Sequence, residues 1–171
     1  MMVEITYQMV LSTLQTLSLI IGITYYLLIL QNQQKNQQIA LETRQAQLFQ
    51  SIYNRYQDKE FVEMEVEIQS YDMSDIDTIY EKYGDEAWTK MMIIGRYYEG
   101  LGVYVSKGLI DASLVNDLMS EPVMINWEKA EPLVYEYRER MNVPTFGEFF
   151  EYLYNQVKPL YEKQHPRQPA P

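Results

Sequence analysis

Phe61 to Gln69 reads FVEMEVEIQ, and the fold class of the chain turns on this segment. Val62, Met64, Val66 and Ile68 alternate with Glu63, Glu65 and Glu67, the period-two pattern of a half-exposed strand. Phe61, Met64, Ile68 and Tyr71 also recur at helical spacing. No other segment offers a partner strand, and a lone strand would leave its backbone hydrogen bonds unmade. The segment is therefore expected to be helical, which makes the whole chain all-α. Glu63, Glu65 and Glu67 then read most simply as a solvated acidic face.

Upstream, Gln31 to Gln50 is rich in glutamine and asparagine and contains no glycine or proline to end a helix. A flexible linker is one reading. Glutamine is a good helix former, however, and Leu41, Leu48 and Ile52 recur at i, i+7 and i+11. A helical stalk over residues 31–56 is expected, and a paired, coiled-coil stalk would make the chain a homodimer.

Before the stalk, thirty residues between Glu4 and Lys35 carry no charged side chain, and Met9 to Leu30 reads MVLSTLQTLSLIIGITYYLLIL. At ~1.5 Å per residue this run covers roughly 33 Å, against about 30 Å of hydrocarbon. It lacks the basic start and small-residue cleavage site of a signal peptide, so a retained span is expected over residues 9–30, after a short segment 1–8. A stripe of Gln8, Ser12, Gln15, Ser18 and Gly22 would suit helix pairing in lipid. Lys35 and Arg44 follow the span and only Glu4 precedes it, which favours a single-pass cell-membrane protein with its soluble domain in the cytoplasm.

The formal charge is −10, from 24 acidic and 14 basic residues, and all but Glu4 of the acids follow the span. No basic stripe interleaved with aromatics occurs, so nucleic acid is not an expected partner. An acidic domain should be repelled by anionic lipid rather than lie flat on it. The absence of cysteine fits a reducing compartment and excludes thiol chemistry.

Residues 57–163 are expected to form one helical domain of about five helices. Ser74 and Asp77 are spaced as a capping box, with Gly84 past the end of a short helix. Asp85 to Lys107 is the expected centre, its apolar stripe running through Trp88, Met91, Met92, Gly95, Tyr98, Leu101, Gly102 and Val105. Asp111 or Ser113 can cap the next helix, Pro122 should break it, and Pro132 should kink the long helix that follows. Thr145 with Glu148 reads as a second capping box opening a last helix to about Lys163. The proline-rich tail, residues 164–171, is expected to be disordered.

Asp58-Lys59-Glu60-Phe61, Arg96-Tyr97-Tyr98-Glu99-Gly100-Leu101-Gly102 leading to Lys107-Gly108-Leu109-Ile110-Asp111, and then Trp127 and Pro132 follow the span and stalk in that order. This arrangement resembles the family called domain of unknown function 4760, over roughly residues 48–157. The resemblance implies a membrane-tethered helical domain and supplies no activity or catalytic residues. The chain departs from that family in carrying a glutamine tract where several basic residues often follow the span.

Catalytic constellations are mostly absent. The one histidine, His165, lies in the tail, which removes Ser-His-Asp arrangements and paired imidazole metal ligands. Gly95, Gly100 and Gly102 form no phosphate-binding motif and read as close-packing positions in a helix. Asp72, Asp75 and Asp77 lack the glycine and twelfth-position glutamate of a calcium loop. No metal or cofactor is expected.

Glu99 stands apart, a carboxylate on an otherwise apolar helix that must be paired, protonated or at a functional surface. Arg96, Arg138 or a tyrosine is its expected partner. Glu99, Arg96 and Trp127 are the candidate interaction or buried polar site. Sixteen tyrosines suggest a recognition surface, but they equally suit a small core that needs large side chains with wet hydroxyls. Two functional classes follow. The first is a membrane-anchored interaction or signalling accessory module meeting a protein partner, without catalytic activity. The second is a membrane-bound enzyme or small-ligand sensor with a carboxylate-only site near Glu99.

Overall fold

The computed structural model describes residues 7–166. Five helices follow in order: α1 (Tyr7–Tyr56), α2 (Lys59–Gln69), α3 (Ile76–Ser106), α4 (Ala112–Met141) and α5 (Glu148–Gln164). The described residues contain no strand, so the fold is all-α. Residues 1–6 and 167–171, which include Glu4 and most of the proline-rich tail, lie outside the described residues.

The chain divides between Ala46 and Gln47 into two compact units. The first unit's described part belongs to α1, and its apolar side chains from Tyr7 to Leu28 are exposed. Among the described residues this is the one helix long and apolar enough to cross a membrane. Its threonine hydroxyls are satisfied locally: Thr13, Thr16 and Thr24 donate to the carbonyls of Met9, Ser12 and Ile20 at 2.8, 2.9 and 2.8 Å. Such back-bonding removes the hydroxyls' need for water, which lowers their cost in an apolar medium.

The second unit starts within the last turns of α1. Phe49 is buried there, with Leu48, Ile52, Tyr53 and Tyr56 packed against the same core. Leu48 and Ile52 are thus engaged inside the fold, whereas Leu41 in the first unit is exposed. Two of the three residues expected along a stalk seam contribute instead to the domain's own core, because packing against it removes part of their apolar surface from water. The Tyr97 hydroxyl fixes this end of α1 by donating to the Ile52 carbonyl at 3.1 Å.

Asp58 caps α2, its side chain accepting from the Glu60 amide, and Phe61, Met64 and Ile68 enter the core. Helix α3 is capped one residue later than the sequence suggests, because Asp75 rather than Ser74 accepts from the Thr78 amide, at 2.7 Å. At Gly84 (φ 77°, ψ −176°) the chain leaves helical geometry and re-enters it, which separates a short helix from the central one as expected. Only glycine adopts that backbone without strain.

Asp111 caps α4. The interruption in α4 falls at Met119 (φ −142°, ψ 15°), three residues before Pro122, so the proline sits in the first turn after the break, where its missing N–H is harmless. Pro132, where a kink is expected, keeps helical dihedrals. Asn142 in the left-handed region closes the helix. Helix α5 packs on both α3 and α4 and completes the core around Tyr98, Leu101, Trp127, Phe150 and Leu153.

Candidate functional site

A cavity of about 450 Å³ lies in the second unit, bounded by the middle of α3, the second half of α4 and the turn before α5. Trp88, Met91, Met92, Leu133, Tyr137 and Phe146 supply much of an apolar wall, and Arg96, Glu99, Asn126 and Lys129 are its charged or amide members. Its volume lies in the range of small-molecule sites, and a few convergent polar groups in an apolar wall are their usual composition. Half of the apolar stripe expected in α3, namely Trp88, Met91, Met92 and Gly95, faces this cavity and is only partly buried. Ala87, Ile94, Tyr98, Leu101 and Val105 form the fully buried line of the same helix.

Glu99 is half-buried on the cavity wall, and its Oε2 accepts from the Phe150 amide at 2.8 Å. This contact replaces the expected capping box. Gly147 begins α5 with no side-chain cap, and Thr145 contributes only its carbonyl, which accepts from the Glu148 amide. Glu99 therefore supplies from α3 the acceptor that the first turn of α5 lacks locally, with its charge at the positive end of the helix. The expected arginine and tyrosine partners are not used. Arg138 pairs with Glu151 at 2.8 Å and donates from Nε to the Phe146 carbonyl at 2.7 Å. Arg96 is exposed at the cavity and makes no ion pair with a described carboxylate.

Trp127, the third candidate, is buried in the core, edge-on to Phe150 with ring centroids 5.1 Å apart. It lies behind the cavity wall that Phe150 forms and presents no surface to a partner.

The buried carboxylate of the domain is Glu65, 6 % exposed, rather than part of a solvated face. Its Oε1 accepts from the Tyr98 hydroxyl at 2.5 Å and from Asn126 Nδ2 at 2.6 Å. Asn126 also donates to the Pro122 carbonyl at 2.8 Å, and it reaches the cavity. Burial first, and then the Glu65 charge, push the Tyr98 phenol well above its ordinary pKa, so it remains a donor. Glu63 and Glu67 do stay exposed. Glu67 binds Lys90 at 2.8 Å and accepts from the Tyr71 hydroxyl, and those hydrogen bonds hold its carboxyl below the usual range. The sequence carried a sign of this difference: once the segment is helical, Glu65 lies four residues after Phe61 and three before Ile68, on the buried face.

Asp72, Asp75 and Asp77 have separate partners. Asp72 pairs with Lys82 at 2.6 Å, Asp75 caps α3, and Asp77 pairs with Arg140 at 2.8 Å. Among the described residues no group of three histidine or acidic side chains is arranged to hold a metal ion.

No match was found among curated proteins or among solved structures. The match to a family model is extensive, covering residues 12–157 and so including most of the first unit's apolar helix as well as the helices around the cavity. The chain belongs to the family described as domain of unknown function (DUF4760).

Proposed function

We propose that this protein is a single-pass membrane-tethered receptor module whose helical domain binds a small apolar ligand in the cavity between α3 and α4. The observation that carries the reading is the cavity itself: about 450 Å³ walled by methionine, aromatic and aliphatic side chains. Arg96, Val143 and Thr145 on its rim are exposed, so the space is a cleft open to solvent, and a concave apolar surface with a few convergent polar groups is the usual form of a small-molecule site. Glu99 is engaged with the Phe150 amide and Glu65 with Tyr98 and Asn126, so neither stands as a free general base. Binding therefore fits the wall better than catalysis, and the site is not carboxylate-only, because Arg96 and Lys129 share it. The tether is supported by the apolar stretch of α1, whose side chains from Tyr7 to Leu28 are exposed.

The test is purification of the full chain from its membrane, followed by organic extraction and mass spectrometry. Wild type should release an apolar small molecule that Gly95→Leu, which fills the cavity, does not. Equal extracts from both proteins would reject the cavity as the binding site. Release of the chain from membranes by alkaline carbonate would reject the tether.

A further inference from the structure

Lys129 and Arg96 give the cavity a polarity that its apolar wall does not explain. Lys82, Lys90, Arg138 and Arg140 in the same unit are ion-paired. Arg96 and Lys129 form no ion pair with any described carboxylate, in a chain of net charge −10 where acids are abundant. Lys129 is partly buried and donates to the Gln69 carbonyl, a neutral acceptor. Glu99 is the one acidic residue on the wall, and its carboxylate is tied to the Phe150 amide at the start of α5. The wall therefore carries one more positive charge than negative, and its cations lack the carboxylates that pair with Lys82, Lys90, Arg138 and Arg140, as the surface residues Lys107 and Lys163 also do.

We propose that the ligand is a single-chain amphiphile with an anionic head, a medium-chain monocarboxylate, held with its tail in the apolar wall and its carboxylate near Arg96 and Lys129. This rests on the reading of the cavity as a ligand site. A cleft of about 450 Å³ lies in the lower part of the range of small-molecule sites, which suits a single medium-length chain. The tail would lie against Trp88, Met91, Met92 and Leu133, and each methylene removed from water favours binding. Arginine presents a planar fork that matches a carboxylate, and lysine adds a second charge.

Full-length protein carrying ¹³C-methyl methionine, in nanodiscs of zwitterionic lipid, provides the test, because Met91 and Met92 report on the cavity directly. Titrations with decanoate, decanol and decyltrimethylammonium compare three heads on one tail. Decanoate should shift the Met91 and Met92 methyl signals at about tenfold lower concentration than decanol, and the ammonium should be weakest. Arg96→Gln and Lys129→Gln should each move decanoate toward decanol and leave decanol itself unchanged. These variants meet the same bilayer partitioning as wild type, so the comparison isolates the head. If all three ligands shift the signals alike, or the two variants leave decanoate unaffected, the anionic preference is overturned while the ligand site stands. If no ligand moves Met91 or Met92, the ligand site itself is wrong.

Discussion

Gly102→Ala and Gly100→Ala differ by two residues on one helix and should act in opposite directions. A Cβ built at Gly102 would stand 1.9 Å from the Phe149 carbonyl oxygen and 2.6 Å from its carbonyl carbon, so α3 and α5 meet there backbone to backbone. Reaching ordinary contact requires a displacement of about 1.5 Å, and backbone cannot rotate aside as a side chain does. Overpacking of this kind costs up to about 3 kcal/mol, and the better helix propensity of alanine offsets about 1 kcal/mol, leaving a net loss of about 2 kcal/mol. At Gly100 nothing lies within 4 Å of the added Cβ, so only the propensity gain remains. In thermal unfolding Gly102→Ala should lower Tm by about 8 °C and Gly100→Ala should raise it by about 4 °C. The displaced first turn of α5 also carries the Phe150 amide that Glu99 accepts from, so its hydrogen exchange should quicken in Gly102→Ala. A Gly102→Ala protein as stable as Gly100→Ala would refute the close α3–α5 contact and the wall of the cavity built on it.

Three further outcomes follow from single contacts. Glu65→Leu should destabilise by about 2 to 3 kcal/mol, because the buried Tyr98 hydroxyl loses its acceptor, whereas Glu65→Gln, which keeps an acceptor, should lose less than half of that in chemical denaturation. Glu99→Leu should cost about 1 kcal/mol, the value of a helix cap rather than of a stranded buried arginine, with faster amide exchange confined to the first turn of α5. The Asp75 carboxyl is held below its ordinary value by the Thr78 amide, so its stabilisation is complete above the ordinary aspartate pKa and is lost as pH falls through the lower folded value. Asp75→Asn keeps a capping oxygen that no longer titrates, so its Tm should fall less than wild type between about pH 5 and about pH 2.5.

Much of the backbone course was legible because it rests on local chemistry. Asp58 and Asp111 cap where aspartates stand before apolar periodicity, and Gly84 interrupts α3 where only a residue without a Cβ tolerates positive φ. FVEMEVEIQ was ambiguous between two periods, and the absence of a partner strand decided it correctly. The same alternation then concealed Glu65 by grouping it with Glu63 and Glu67, although helical geometry turns it toward Tyr98 and Asn126. Capping of α5 was not legible at all, since its acceptor lies 51 positions away on Glu99. A glutamate on an apolar helix announces that it needs a partner, and nothing local says which. Gly95, Gly100 and Gly102 likewise look alike in sequence, and only tertiary packing makes Gly102 the close approach while Gly95 opens on the cavity. Apolar periodicity marks a face without saying whether the opposite element fills it, and so it does not tell the part of the stripe at Trp88, Met91 and Met92 that lines the cavity from the part that is fully buried.

Whether the cavity is a ligand site is tested most directly by the effect of decanol on the melting of full-length wild type and Gly95→Leu in nanodiscs. Gly95 lines the cavity with nothing within 4 Å of an added Cβ, so leucine there occupies the space without a clash at its first atom and strengthens the helix. A ligand bound only by the native state at 100 times its Kd adds about 2.7 kcal/mol, equivalent to about 10 °C in Tm. The account predicts that decanol raises the Tm of wild type by an amount of this order and leaves Gly95→Leu, already the more stable without ligand, unmoved. Equal shifts in both proteins, or no shift in either, would contradict it.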